Sequence, residues 1–125
     1  MNWARYIALA KVMAHQPHEE MERSAISRAY YGAFNLSRRW LEENVTSIDN
    51  QSAHRQVWMT FRAGEPATAD TRSVWRQVGT LGGALRALRN QADYDDRVPD
   101  LETRTREAVD FAERILKLLP ELEVA

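Results

Sequence analysis

The sequence contains no cysteine. This absence excludes disulfide bonds, thiolate metal sites and a cysteine nucleophile, and it suits a reducing compartment, so we expect a cytoplasmic protein. No apolar run approaches the roughly 20 residues that a membrane span needs, and we expect no membrane segment. Arg5 and Lys11 interrupt what would be the apolar core of a signal peptide, so we interpret the N-terminal stretch as a structured helix.

Lysine is nearly absent, with 2 lysines beside 15 arginines. The net charge of −1 hides an asymmetry, because residues 23–91 carry a net charge of +5 and residues 92–125 a net charge of −5. Arginine forms forked hydrogen bonds with phosphate and carboxylate groups. The basic middle of the chain fits either a solvated helical surface or a polyanion site. The acidic last third argues against strong non-specific binding to nucleic acids.

The motifs of several common enzyme classes are also missing. No serine lies in a nucleophile elbow, and no Rossmann, phosphate-loop, zinc-protease or calcium-loop pattern occurs. His15 and His18 are three residues apart, but Pro17 lies between them and disturbs a shared helical face. We therefore expect no specific metal site and no cofactor, and at most a weak adventitious metal site around these histidines.

Nearly the whole chain shows the helical period, and no segment alternates convincingly at the period of a strand. We predict a single domain, residues 1–125, that is all-α and forms an up-and-down bundle of four to five helices. The predicted helices cover about residues 2–14, 18–44 and 52–62, a fourth from about 70 into the 89–96 segment, and a fifth over 100–119. Asn2 and Ser52 are candidate N-caps of the first and third helices. Apolar residues in the last two helices repeat at spacings of 3 and 4, which indicates packing at a small angle, and the connection between them is short, so they should be antiparallel neighbours. The apolar face of the fourth helix consists of Val74, Val78, Leu81, Leu85, Leu88 and Ala92.

Three glycines, Gly79, Gly82 and Gly83, lie inside the fourth predicted helix. Each weakens the helix by about 1 kcal/mol relative to alanine. Such residues permit close approach of another backbone. The neighbour is either a helix of the same chain or a second copy of the protein.

The fourth helix ends in "LRALRNQADYDD", in which apolar residues at helical spacing are followed by polar residues. Arg86, Arg89 and Asp93 lie on one stripe of this helix, beside its apolar face. One interpretation is a surface ion pair between Arg89 and Asp93, with Tyr94 at an amphipathic edge. The other is a binding or catalytic site.

A second cluster lies in the long helix, in "RSAISRAYYGAF". Its residues Ser27, Tyr31 and Phe34 are neighbours at spacings of three, four and seven, and small residues surround them. This combination fits tight helix packing, with the tyrosine hydroxyls reaching the surface. It also fits polar groups that line a site.

The two clusters together resemble the HEPN family (higher eukaryotes and prokaryotes nucleotide-binding), in its small bacterial branch with an Arg-Asn-x-Ala-Asp-Tyr signature. The resemblance covers roughly residues 20–118. It implies an all-α bundle that forms a homodimer, with polar helix ends meeting in a shared cleft. It also implies a metal-independent ribonuclease that acts as a toxin or defence component, often beside a nucleotidyltransferase-type antitoxin.

The family's catalytic signature is an arginine, a polar residue and then a histidine. By resemblance Arg89 would stabilise a phosphate and Asn90 would orient it, but no histidine follows Arg89, and Tyr94 has the first histidine position. Asp93 and Tyr94 would then transfer protons or position the substrate. The candidate binding residues are Arg86, Ser27 and Tyr31.

These motifs are compatible with three functions. The first is a toxin or defence component acting on RNA, possibly by cleaving it without the usual histidine. The second is a non-catalytic module of this type that binds a nucleotide or a protein partner. In the third, the two motifs are purely structural.

Overall fold

The computed structural model describes all 125 residues and shows an all-α helical bundle. There are five α-helices and two short 3-10 turns, at Asn50–Ser52 and Leu119–Glu121. The helices are α1 (Trp3–Met13), α2 (Glu19–Asn44), α3 (Ala53–Ala63), α4 (Arg72–Tyr94) and α5 (Leu101–Leu118). Each predicted helix is confirmed, and its boundaries shift by one or two residues.

The helices begin where the sequence signals place them, but the expected capping hydrogen bonds are missing. Asn2 and Ser52 are the N-cap residues of α1 and α3, and neither side chain bonds to the first turn. Asp100 precedes α5 in the left-handed region, with φ of 54°. Tertiary packing therefore does more than side-chain capping to fix these helix starts.

Helix α2 lies at the centre of the bundle and packs against α1, α4 and α5. Its first turns contact the end of α4, where Arg23 bonds to Ala92, and its later part meets the start of α4, where Trp40 contacts Trp75. The two helices are therefore antiparallel. The tail after α5 likewise returns to the start of α4, since Glu123 accepts a hydrogen bond from the Trp75 indole, so α4 and α5 are antiparallel as predicted.

One hydrophobic core joins all five helices. In the first turn of α4, the residue that faces the core differs from the prediction. Trp75 is completely buried, whereas the predicted core residue, Val74, is only half-buried. Trp75 packs edge-on against Trp40 at 5.2 Å, and its indole N–H donates to the Glu123 carbonyl at 3.2 Å. A buried tryptophan needs such a partner, and the C-terminal tail supplies it.

The glycines of α4 allow close contact with α3 of the same chain. A Cβ atom on Gly82 would lie 2.1 Å from the Trp58 ring, and one on Gly79 would lie 2.5 Å from the backbone nitrogen of Arg62. The small residues of α2 are also covered within the chain, since Gly32 lies against α1. These small residues therefore give no support to contact with a second copy.

None of the five helices combines the length and the apolar character that crossing a membrane would require.

Candidate functional site

The two sequence clusters meet in space where the second half of α4 crosses the middle of α2 and the start of α3. Arg89 of α4 lies against Tyr30 and Tyr31 of α2, and His54 of α3 completes the group. We call Arg86, Arg89, Tyr30, Tyr31 and His54 the Arg89 cluster. The antiparallel order of α2 and α4 brings the two tyrosines and the two arginines together, although they are more than 50 positions apart in the chain.

Arg89 is buried, with only 7% of its surface exposed. Its guanidinium carbon lies 5.1 Å from the ring centre of Tyr30, 5.4 Å from that of Tyr31 and 5.9 Å from that of Tyr94. Contacts of this kind stabilise a desolvated cation by about 2 kcal/mol. The ion pair of Arg89 with Asp93 is present, but its guanidinium does not lie at the surface, because aromatic faces enclose it.

The expected partner of Arg89, Asp93, is present but weakly bound. Its Oδ2 lies 3.7 Å from Nη1 of Arg89, beyond hydrogen-bond distance, and accepts a long hydrogen bond of 3.5 Å from Ser27. The Nε of Arg89 is buried and has no hydrogen-bond partner at all. Arg89 thus keeps donors that the protein does not use, and an unpartnered buried donor is costly.

Arg86 lies one turn before Arg89 on the same side of α4. Its Nε is also buried without a partner, and the rest of its guanidinium forms no ion pair or hydrogen bond. The charges of Arg86 and Arg89 both act on Tyr30 and His54. Guanidinium groups with unused donors are suited to charge-assisted hydrogen bonds with an anion.

A buried hydrogen-bond chain runs from Trp58 through Tyr30 to His54. The indole Nε1 of Trp58 lies 3.1 Å from the Tyr30 hydroxyl, which lies 2.5 Å from Nδ1 of His54. An indole N–H can only donate, so the tyrosine oxygen accepts it, and we assign the remaining phenol proton to the bond with Nδ1 of His54 because no other acceptor bonds to this hydroxyl. Nδ1 of His54 is therefore an acceptor, and the neutral imidazole carries its proton on Nε2.

The surroundings of His54 keep it neutral. Burial, together with the positive charges of Arg86, Arg89 and Arg38, lowers the pKa of His54 to about 4. The ring also stacks on Phe34 at 4.0 Å, nearly parallel. Burial raises the pKa of Tyr30 in turn, so the phenol keeps its proton. At neutral pH, His54 therefore offers a hydrogen-bond donor at Nε2, and neither His54 nor Tyr30 offers a free base.

Arg23, at the start of α2, holds the C-terminal end of α4. Its guanidinium donates to the carbonyl oxygens of Ala92 at 3.0 Å, Asp95 at 2.5 Å and Asp96 at 3.0 Å. A cation at the C-terminal end of a helix satisfies carbonyls that have no helical partner and complements the helix dipole. This clamp fixes the position of the segment that follows Arg89.

The remaining predicted residues lie at the rim or outside the cluster. Tyr94 is 75% exposed and has one ring face over Arg89. Asn90 is exposed on the next face of α4, and its side chain makes no hydrogen bond. The structure thus brings together Arg86, Arg89, Asp93, Tyr94, Ser27 and Tyr31, and it leaves Asn90 apart from them.

Sequence reasoning missed the roles of His54, Tyr30 and Arg23. In the sequence, His54 is isolated, with no second histidine or metal motif near it. Its spacing of three, four and seven from Val57, Trp58 and Phe61 could have placed it on the buried face of α3. Nothing local could have paired it with Tyr30, since that contact depends on how α3 packs.

Two surface cavities, of about 570 and 710 Å³, lie elsewhere on the bundle and contain no residue of the Arg89 cluster. Within the cluster, Arg89 and Tyr30 are buried, and Arg86, Tyr31 and His54 are partly exposed. No group of three histidine or acidic side chains is placed to hold a metal ion.

Comparison with known proteins identified no match to any family, to any curated protein or to any solved structure.

Proposed function

We propose that this protein is a HEPN-type toxin or defence component that acts on RNA, and that its Arg89 cluster binds the phosphate backbone. The observation that carries the proposal is the pair Arg86 and Arg89, whose Nε donors are both buried without a partner. A phosphate oxygen accepts charge-assisted hydrogen bonds from guanidinium groups. The family part of the proposal rests on the resemblance of the two sequence motifs.

The geometry supports binding better than cleavage. Cleavage by attack of a 2′-hydroxyl needs a base for that hydroxyl and an acid for the leaving oxygen. Nδ1 of His54 is already occupied by Tyr30, and the two nearby arginines oppose its protonation. Nε2 of His54 can still donate a hydrogen bond, so His54 serves better as a neutral donor to a phosphate than as a proton carrier.

The direction of approach follows from the charges around the cluster. Asp95 and Asp96 follow α4 immediately and are exposed, so that end of the helix repels a phosphate. Arg86 lies on the opposite side of Arg89, toward α3. An RNA strand would therefore reach the cluster from the α3 side. The exposed ring of Tyr94 is available for stacking on a base at the rim.

Cleavage remains the second candidate, and one contact favours it. Asp93 lies 3.7 Å from Arg89 and is the carboxylate closest to the proposed phosphate site. Asp93 could accept a proton from a 2′-hydroxyl if its hydrogen bond from Ser27 were broken. In that case RNA would be cut over many turnovers, and Asp93→Asn would abolish cutting while leaving binding in place.

The partner expectations rest on the resemblance alone. They comprise a homodimer, a nucleotidyltransferase-type antitoxin and a cytoplasmic setting. Sedimentation at tens of micromolar tests the dimer, and a single monomeric species would remove it. If the protein binds only protein partners, replacing Arg86 should have no effect on RNA binding.

One experiment measures both the binding and the cleavage of RNA by the protein. Purified protein is incubated with total RNA and with a labelled single strand in excess EDTA, beside Arg86→Gln and the control Arg106→Gln. Arg106 is an exposed arginine on α5, so its variant carries the same net charge change. We expect the strand to bind intact, Arg86→Gln to bind it weakly and Arg106→Gln to bind it normally. Equal binding by all three proteins would contradict the proposal.

A further inference from the structure

A second basic surface lies between the first half of α4 and the last part of α5. It is a groove of about 710 Å³, here called the α4–α5 groove. Thr80, which lines it, and Arg89 are nine residues apart, or two and a half helical turns, so they face opposite sides of α4. No acidic residue lines the groove. Its polar lining consists of Arg72, Ser73, Arg76, Gln77, Thr80 and Arg114.

Arg72 is held in place before any ligand arrives. Its Nε donates to the carbonyl of Gly64 at 3.1 Å, and its Nη2 donates to the carbonyl of Ala67 at 3.1 Å. Both acceptors are neutral, so the positive charge is not cancelled. Nη1 makes no hydrogen bond and remains a free donor. An arginine fixed in this way loses little side-chain entropy when an anion binds.

The other two arginines of the groove also lack strong partners. Arg76 is exposed and forms neither an ion pair nor a hydrogen bond. Arg114 approaches Asp110, a residue outside the groove, at 4.0 Å, which is beyond hydrogen-bond distance. The groove therefore holds three positive charges with no carboxylate bonded to any of them.

The start of α4 adds to this positive field. Its first turn contains no acidic residue, and the backbone N–H groups of Ser73 and Val74 have no acceptor within the protein. The hydroxyl of the N-cap residue, Thr71, bonds to Thr68 and Glu123 instead of capping the helix. Arginines at the positive end of a helix oppose its dipole, so this arrangement destabilises the isolated helix. A bound anion would reverse that effect.

We infer that the α4–α5 groove is a binding site for a compact ligand with two or more linked phosphate groups. Three guanidinium groups around one groove match several negative charges better than one. The volume falls in the range of sites for small molecules. The hydroxyls of Ser73 and Thr80 and the amide of Gln77 supply further hydrogen bonds. The inference is independent of the RNA site, because the two surfaces share no residue.

The test is calorimetric titration of the intact protein with inorganic triphosphate. We expect saturable binding that weakens about tenfold or more in Arg76→Gln, the size of effect that one lost charge-assisted hydrogen bond produces. Arg76 is exposed and makes no hydrogen bond or ion pair in the fold, so its replacement should leave folding unaffected. The matched controls are Arg106→Gln, for net charge, and Arg86→Gln, for the RNA site. Both should bind triphosphate as the wild type does.

Titrations with two further compounds show which class of molecule carries the phosphate groups. Adenosine triphosphate should bind with Arg76 dependence, and adenosine should not bind. Absence of saturable binding, or an equal loss in Arg76→Gln and Arg106→Gln, would overturn the inference. So would Arg76-dependent binding of single-stranded RNA that triphosphate fails to displace, because the groove would then hold a polymer and not a compact ligand.

Discussion

The hydroxyl of Tyr30 donates its proton to Nδ1 of His54 across 2.5 Å, and this bond joins α2 to α3 beside the buried guanidinium of Arg89. The direction of the bond follows from Trp58, whose indole N–H occupies the tyrosine oxygen. It determines which nitrogen of His54 remains available to a ligand. The site therefore offers donors to an anion, and it lacks a free base at neutral pH.

The first prediction concerns this hydrogen-bond chain. Tyr30→Phe leaves the buried indole N–H of Trp58 without an acceptor, which should lower the free energy of unfolding by about 1–3 kcal/mol. Chemical denaturation measures this change. The control is Tyr31→Phe, since the Tyr31 hydroxyl makes no hydrogen bond in the fold and its loss should have little effect. Equal stability of the two variants would show that the chain is not formed.

The second prediction concerns pH. The pKa of His54 is lowered from 6.5 to about 4, so the unfolded chain binds a proton that the folded protein does not bind between these values. The free energy of unfolding should therefore be highest above about pH 6.5 and should fall as the pH falls toward 4. Denaturation curves for the wild type and His54→Gln isolate this contribution, because glutamine does not titrate. A His54 titration midpoint at or above 6.5 by NMR would refute the assignment.

The third prediction uses two adjacent glycines of α4. A methyl group on Gly82 would overlap the Trp58 ring at 2.1 Å, whereas one on Gly83 would meet only the end of the Arg62 side chain at 3.6 Å. Gly82→Ala should destabilise the protein by about 1–3 kcal/mol through overpacking. Gly83→Ala should be neutral or stabilise it by up to about 1 kcal/mol, because alanine favours the helix. Thermal melts of both variants compare them directly, and the reverse order would contradict the packing of α3 on α4.

The fourth prediction concerns Tyr94. Because its ring is 75% exposed and contributes the most distant of the three aromatic contacts to Arg89, Tyr94→Ala should lower the free energy of unfolding by no more than about 1 kcal/mol. Loss of base stacking should weaken binding of single-stranded RNA by about 1–3 kcal/mol. Tyr94→Phe keeps the ring and should bind as the wild type does. Fluorescence anisotropy with a labelled strand distinguishes the two variants, and a loss in Tyr94→Phe would indicate a role for the hydroxyl instead.

Helical periodicity predicted the fold well, because every helix of this bundle has one apolar face and a clear end signal. The departures occur where tertiary contacts override the pattern. Trp75 is buried instead of Val74 because the C-terminal tail returns to supply a carbonyl for the indole. That return spans 48 residues and has no local signature.

The candidate site was only partly predictable. Arg89 and Tyr31 were identified from their own helices, but the burial of Arg89 depends on how α2 crosses α4. His54 entered the cluster through α3, and helix packing of this kind is not encoded in a short motif. On the α4 side, the Arg23 clamp bonds only to backbone carbonyls, so the identity of those partner residues gives no signal.

The most direct test of the account is the salt dependence of RNA binding by the wild type and Arg86→Gln. Affinity for a labelled single strand is measured by fluorescence anisotropy over a series of salt concentrations in EDTA. Removing one phosphate contact should weaken binding about tenfold and reduce the slope of log K against log salt by about 0.7. Affinity and slope equal to those of the wild type, in a folded Arg86→Gln protein, would contradict an RNA site at the Arg89 cluster.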